Sequence, residues 1–135
     1  MTTFTPTAED TRIYECAVLL PAALSDKEYK DTLKGIEELF SEKNAKLLHK
    51  DEWGKRGLAY KIKGYAEGKY IVYHYELKPG DVRELEYALR LEKGVLRHLL
   101  LRVPDGYEVI DFSKRFAEWL KEREQEEETS ARERE

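Results

Sequence analysis

A chain of 135 residues, 41% hydrophobic and 39% charged, has apolar material for one domain core, a heavily charged surface and length left for a tail. Its formal charge of −4 excludes a polycation that adheres to nucleic acid indiscriminately, so any nucleic-acid contact must come from a local patch. A single cysteine, Cys16, excludes an intramolecular disulfide and a thiolate metal cluster, and the longest apolar run, residues 17–20, is too short to cross a membrane.

Residues 1–11 are polar, lack the apolar run of a signal peptide and read as a flexible N-terminal segment. The protein is therefore expected in the cytoplasm, away from membranes. Residues 13–20 are apolar, bounded by Arg12 and Pro21, and predict a buried strand. Ser25 and Glu28 then form a capping-box pattern, in which each side chain satisfies a backbone N–H left open at a helix start. Tyr29, Leu33, Ile36 and Phe40 follow at helical spacing, and Asn44 is a plausible stop.

Residues 45–63 read as extended, interrupted at Trp53-Gly54, where the glycine suggests a bend or bulge. Residues 64–68 can turn, and residues 69–77, rich in Tyr, Val and Ile, predict a strand. Pro79-Gly80-Asp81 opens a second helix with Val82, Leu85 and Leu89 on its buried stripe and an end near Gly94. A last strand over residues 95–103 stops at Pro104-Asp105-Gly106.

The order strand, helix, strand, strand, helix, strand predicts an α+β domain over residues 12–104. Two right-handed crossovers give the ferredoxin-like split βαββαβ fold, a four-stranded antiparallel sheet with both helices on one face. The other face stays uncovered unless a partner or a tail lies on it. Residues 105–135 form a C-terminal extension: Phe112, Phe116, Trp119 and Leu120 at the spacing of a short amphipathic helix, then an acidic tail in which seven Glu outnumber four Lys and Arg.

Catalytic chemistry is not written in this chain. Neither a phosphate-binding GxxxxGK[ST] loop nor a GxGxxG turn is present. His49, His74 and His98 fall on three different predicted strands, and packed or edge positions suit them better than metal ligation or catalysis. Cys16 alternates with Tyr14 and Val18 and reads as a core residue. The glutamates at 126–128 read as a solvated run, and no shielded pocket for acid–base work is suggested. No catalytic residue, metal, cofactor or small-molecule substrate is expected.

Positive charge is local. Residues 1–110 hold 18 Lys and Arg against 19 Asp and Glu, so the body is nearly neutral. Within it, residues 46–69 carry seven cations (Lys46, Lys50, Lys55, Arg56, Lys61, Lys63, Lys69) against three carboxylates (Asp51, Glu52, Glu67). Trp53, Tyr60, Tyr65 and Tyr70 are interleaved with them. Cations neutralise phosphates and exposed rings stack on unpaired bases, although such a hairpin also occurs as plain solvated surface. Trp53 fits core packing or stacking, and Tyr70, Tyr73 and Tyr75 fit core packing first and the free sheet face second. Arg12, Arg97 and Arg102 lie on first and last strands that are usually adjacent in this fold, where they fit either a second small patch or single edge arginines in water.

These residues carry a resemblance. Tyr14-Glu15, Asp51-Glu52-Trp53-Gly54-Lys55-Arg56, Leu58-Ala59-Tyr60, Gly68-Lys69-Tyr70 and Leu89-Arg90-Leu91 followed by Val95-Leu96-Arg97 are similar, in order, to the bacterial small-subunit ribosomal protein number six family. The resemblance spans residues 12–103 and departs from the family pattern at Gly57, usually arginine, and Lys61, usually proline. It implies the same fold, a place in the small ribosomal subunit, and binding of small-subunit rRNA of the central domain. It also implies a heterodimer with ribosomal protein number eighteen, a basic partner that would reconcile an acidic chain with RNA binding. The RNA contacts expected on this reading are Arg12, Tyr14, Lys55, Arg56, Tyr60, Lys61, Arg97 and Arg102.

Two rivals share the fold. A generic single-strand RNA-recognition module expects a Lys-Gly-aromatic-Gly-aromatic motif in its third strand, which residues 68–72 lack. A ferredoxin-like ligand-binding or enzymatic domain expects a pocket with convergent polar groups.

Overall fold

The structure, a computed structural model, describes residues 2–106 and 108–109. Strand β1 (Arg12–Pro21) leads to helix α1 (Asp26–Glu42), the hairpin β2 (Lys46–Ile62) and β3 (Tyr65–Leu77), helix α2 (Val82–Leu91) and strand β4 (Arg97–Arg102). The strands lie in the order β2-β3-β1-β4, and every neighbouring pair is antiparallel. This is the ferredoxin-like split fold. The expected amphipathic helix at Phe112, Phe116, Trp119 and Leu120 and the acidic tail lie outside the described residues.

The alternation of β1 separates two layers. Tyr14, Cys16, Val18 and Leu20 point to the helices, opposite Tyr75, Tyr73 and Ile71 of β3. Leu33, Ile36 and Phe40 of α1 and Leu85 and Leu89 of α2 close this core, each contributing about 1.5–3 kcal/mol of apolar burial. The Phe40 ring stacks parallel on Tyr75 at 4.0 Å.

Local chemistry fixes the ends of α1. The Glu28 N–H donates to Ser25 Oγ at 3.1 Å and the Ser25 N–H to the Glu28 carboxylate at 3.2 Å, the reciprocal cap the sequence predicts. Those bonds hold the Glu28 carboxyl below its ordinary range. Asn44 takes a left-handed φ of 57° just past the helix, where a short polar side chain tolerates it. At Gly94 a Cβ would come within 2.6 Å of Thr32 Oγ1, so α1 and the segment leaving α2 approach closely only because that position is bare.

The hairpin turns earlier than the sequence suggests. Lys63 and Gly64 both have positive φ, 50° and 85°, the two-residue primed turn whose twist matches that of the flanking strands. Residues 65–68, read from sequence as the turn, continue β3. Gly68 is there for contact: a Cβ would stand 2.5 Å from Leu19 Cδ1 and 3.0 Å from the Leu20 carbonyl oxygen.

The second face of the sheet is not bare. Ile13, Leu19, Val72, His74 and Glu76 all point to it by register and are buried. Residues 2–11 reach it, with Thr7 and Thr11 hydrogen-bonded to Glu76. Thr2–Thr3 also pairs with Glu108–Val109 as a small antiparallel ribbon. Among the described residues no helix is long and apolar enough to cross a membrane.

Candidate nucleic-acid interface

The basic, aromatic segment folds as the β2–β3 hairpin, and its irregularities decide where its side chains go. One register shift falls between Glu52 and Gly54, leaving Trp53 as the extra residue. Gly54 takes the φ of 74° that the bulge needs. Trp53 leans on Tyr70, ring centroids 5.7 Å apart, and its indole N–H donates to Asp51 Oδ2 at 3.1 Å. It is half-buried packing on the second face.

The larger shift lies between Gly57 and Ile62, whose partners Glu67 and Tyr65 are two apart. Leu58, Ala59, Tyr60 and Lys61 therefore stand opposite Ala66 alone. Such a bulge bends the hairpin and increases its twist. Tyr60 stays 60% exposed but is carried toward β4, where Arg97 lies 5.4 Å from its ring centroid. Strands β2 and β4 are opposite edges of the sheet, about 14 Å apart at ordinary strand spacing. The bent hairpin alone brings these two residues together.

The other cations are distributed unevenly. Lys55 Nζ lies 3.2 Å from Glu67, both side chains more than half exposed, so part of its charge is compensated. Arg56 is half-buried, and its Nη1 donates to the Lys55 carbonyl at 2.8 Å. Lys61 is exposed on the bulge. Lys50 pairs with Glu37 at 3.4 Å, and Lys69 sits 4.6 Å over the Tyr29 ring. Sequence reasoning missed these pairings, since Glu67 becomes a neighbour of Lys55 through the strand register, and Tyr29 and Glu37 reach Lys69 and Lys50 through packing of α1 on the sheet.

The arginines expected to form one patch divide into two. Arg102 is the register partner of Tyr14, whereas Arg97 is that of Leu19. Five residues along a strand is about 17 Å and an odd step, so the two arginines lie at opposite ends and on opposite faces. Arg12 shares the Arg102 end, where its Nη1 donates to the carbonyls of Glu9 and Thr11. Arg97 joins Tyr60. Tyr14 is 7% exposed and belongs to the core cluster, so its ring serves packing and is not offered for stacking.

Among the described residues no site for bond-making emerges. Burial, with Glu15 adding to it, pushes the Cys16 thiol up to about 12, which suppresses its nucleophilic thiolate. His49 and His74 meet across β2 and β3 with ring centroids 5.9 Å apart, although sequence gave no reason to join them. His74 is buried, with Nε2 3.4 Å from Glu15 Oε1. Among the described residues no group of three or more His, Cys, Asp and Glu could hold a metal ion. A groove of about 530 Å³ between α1 and β2 is lined by Tyr29, Leu33, Lys34, Glu37, Lys50 and Glu52. Two of those charges, Glu37 and Lys50, already pair with each other.

Comparison with known proteins gives this geometry a family. Residues 13–102 match the family described as Ribosomal protein S6. The chain is 37% identical over 94 residues to small ribosomal subunit protein bS6 of Caldanaerobacter subterraneus subsp. tengcongensis, covering 70% of this chain and 99% of that protein. It is 32% identical over 97 residues to its counterpart in Dehalococcoides mccartyi, covering 72% and 89%. The crystal structure of 30S ribosomal protein S6 from Thermotoga maritima superposes with a TM-score of 0.65 at 23% identity, covering 86% of this chain and 98% of that one, a likeness of fold.

Proposed function

The chain belongs to the ribosomal protein S6 family, whose members are structural proteins of the small ribosomal subunit and not enzymes, and from that premise we propose that it binds small-subunit rRNA of the central domain jointly with ribosomal protein number eighteen. The work is binding free energy spent on holding an rRNA junction in its assembled geometry.

The observation that carries this reading is the Tyr60–Arg97 pair on the bent hairpin, with Lys61 beside it and Lys55 and Arg56 further along β2. An exposed ring offers about 1–3 kcal/mol of stacking to an unpaired base. The guanidinium offers a planar, bidentate fork to a phosphate. Arg12 and Arg102 supply a second, smaller contact at the other end of the sheet. Joint binding answers the charge balance: 18 cations against 19 carboxylates in residues 1–110 leave a patch too small to hold RNA tightly, so a basic partner completes the surface.

Sedimentation of the native protein through a sucrose gradient tests the assignment. The protein is expected to travel with small subunits at physiological salt. Recovery in the unbound fractions alone, with small subunits present in excess, would contradict it.

A further inference from the structure

Glu76 is a carboxylate on the second face of the sheet, opposite Ile13 and Lys46 in register, and it is 5% exposed. Burying an ionised carboxylate costs several kcal/mol unless hydrogen bonds replace its water. Here the donors come from the N-terminal segment. The Thr7 N–H donates at 3.0 Å, Thr7 Oγ1 at 2.7 Å and Thr11 Oγ1 at 2.7 Å. Bonds to a charged acceptor are about twice as strong as neutral ones, so segment and carboxylate depend on each other.

The same segment is pinned at both ends. Thr2–Thr3 pairs with Glu108–Val109, and the Gly106 N–H donates to the Phe4 carbonyl at 3.3 Å. At the other end the Thr11 N–H donates to the Ala8 carbonyl, a turn that feeds directly into β1. Asp10 adds an exposed contact to Lys78 at 3.5 Å, which is worth little by itself. Ile13, beside Glu76, is 0% exposed, while Leu101, at the same end of this face but on the edge strand β4, is 48% exposed.

The segment is also an addition to the family domain. The family match begins at residue 13. The Caldanaerobacter relative is covered over 99% of its length by 94 aligned residues, which leaves it almost nothing to match such a segment.

We infer that residues 2–11 form an intramolecular strap, latched by Glu76, that occupies the Ile13 end of the sheet's second face and closes it to other chains. The inference stands apart from the rRNA reading: it holds or fails for the isolated chain.

The test uses the full-length protein with Thr7→Val and Thr11→Val together, and separately Glu76→Ala. Amide hydrogen exchange reads the Thr7 N–H and the sheet, and binding of the dye ANS reads exposed apolar surface. In the Thr7→Val, Thr11→Val variant, which loses the strap hydroxyls and leaves the sheet untouched, the Thr7 amide is expected to exchange about tenfold faster. The β1 and β3 amides should stay protected while ANS fluorescence rises. Glu76→Ala should do the same, and if it fails to fold the threonine variant decides alone. A Thr7 amide that exchanges at the unprotected rate in the parent, or equally in parent and variant, overturns the latch. Faster exchange without a rise in ANS binding overturns the shielding.

Discussion

Arg97 and Tyr60 meet at 5.4 Å although the strands that carry them are opposite edges of the sheet. The contact is made by a bulge of four residues in β2 facing one in β3. It turns two solitary surface side chains into a composite element with a ring, a fixed cation and the flanking Lys61.

That element should behave as a unit toward RNA. Arg97→Ala is expected to weaken rRNA binding and to lower the slope of log affinity against log salt by about one. Tyr60→Ala should cost about 1–3 kcal/mol with little change in slope. A double-mutant cycle by filter binding should give a coupling of about 0.5–1 kcal/mol, the size of an exposed cation–π pair. Strict additivity would show that the two act separately.

Glu67 sits 3.2 Å from Lys55 and partly cancels its charge. Replacing Lys55 and Arg56 by alanine should lower the salt slope by about two. Glu67→Gln should shift affinity the other way, tightening RNA binding most at low salt. Fluorescence titration at three salt concentrations measures both, and weaker binding by Glu67→Gln would show that the Lys55–Glu67 pair orients Lys55 toward RNA.

How far this was legible in the sequence varies with the range of the interaction. Helix α1 was readable from Ser25 and Glu28 at one end and Asn44 at the other, because caps are local. The alternation of Tyr14, Cys16, Val18 and Leu20 already marks Tyr14 as facing the core, and the odd step from Arg97 to Arg102 already separates them. Both signals come from strand parity. The Lys63-Gly64 turn competed with a second glycine at 68, whose role depends on Leu19, a residue 49 positions earlier. The Tyr60–Arg97 contact, the His49–His74 approach and the Thr7–Glu76 bonds join distant segments through register and bulges, which no local pattern encodes.

Close packing makes two substitutions informative. Phe40→Ala removes a fully buried ring stacked on Tyr75 and should cost about 3–5 kcal/mol in urea unfolding. Gly68→Ala places a methyl against Leu19 and the Leu20 carbonyl oxygen and should cost about 1–3 kcal/mol by overpacking. A neutral Gly68→Ala would mean that β1 and β3 can separate there without penalty.

The latch at Glu76 carries a pH dependence. Burial alone would raise its carboxyl, but hydrogen bonds from Thr11 and Thr7, with Lys46 nearby, hold it below the ordinary value of 4.5. A carboxyl with a lower pKa folded than unfolded contributes stability that is present above the unfolded value and lost as pH falls through the folded one. Stability should therefore decline below about pH 4.5, and the decline should be shallower in Glu76→Gln. Urea titrations across the acid range read this, and identical slopes in both proteins would remove Glu76 from the account.

The central claim is shared RNA binding, and the most direct measurement is the affinity of the purified chain for a central-domain fragment of small-subunit rRNA, with and without ribosomal protein number eighteen, at physiological salt. The chain alone is expected to bind weakly, and addition of the partner should tighten binding by at least about tenfold, or 1.4 kcal/mol. Tight binding by the chain alone, unchanged when the partner is added, would contradict it.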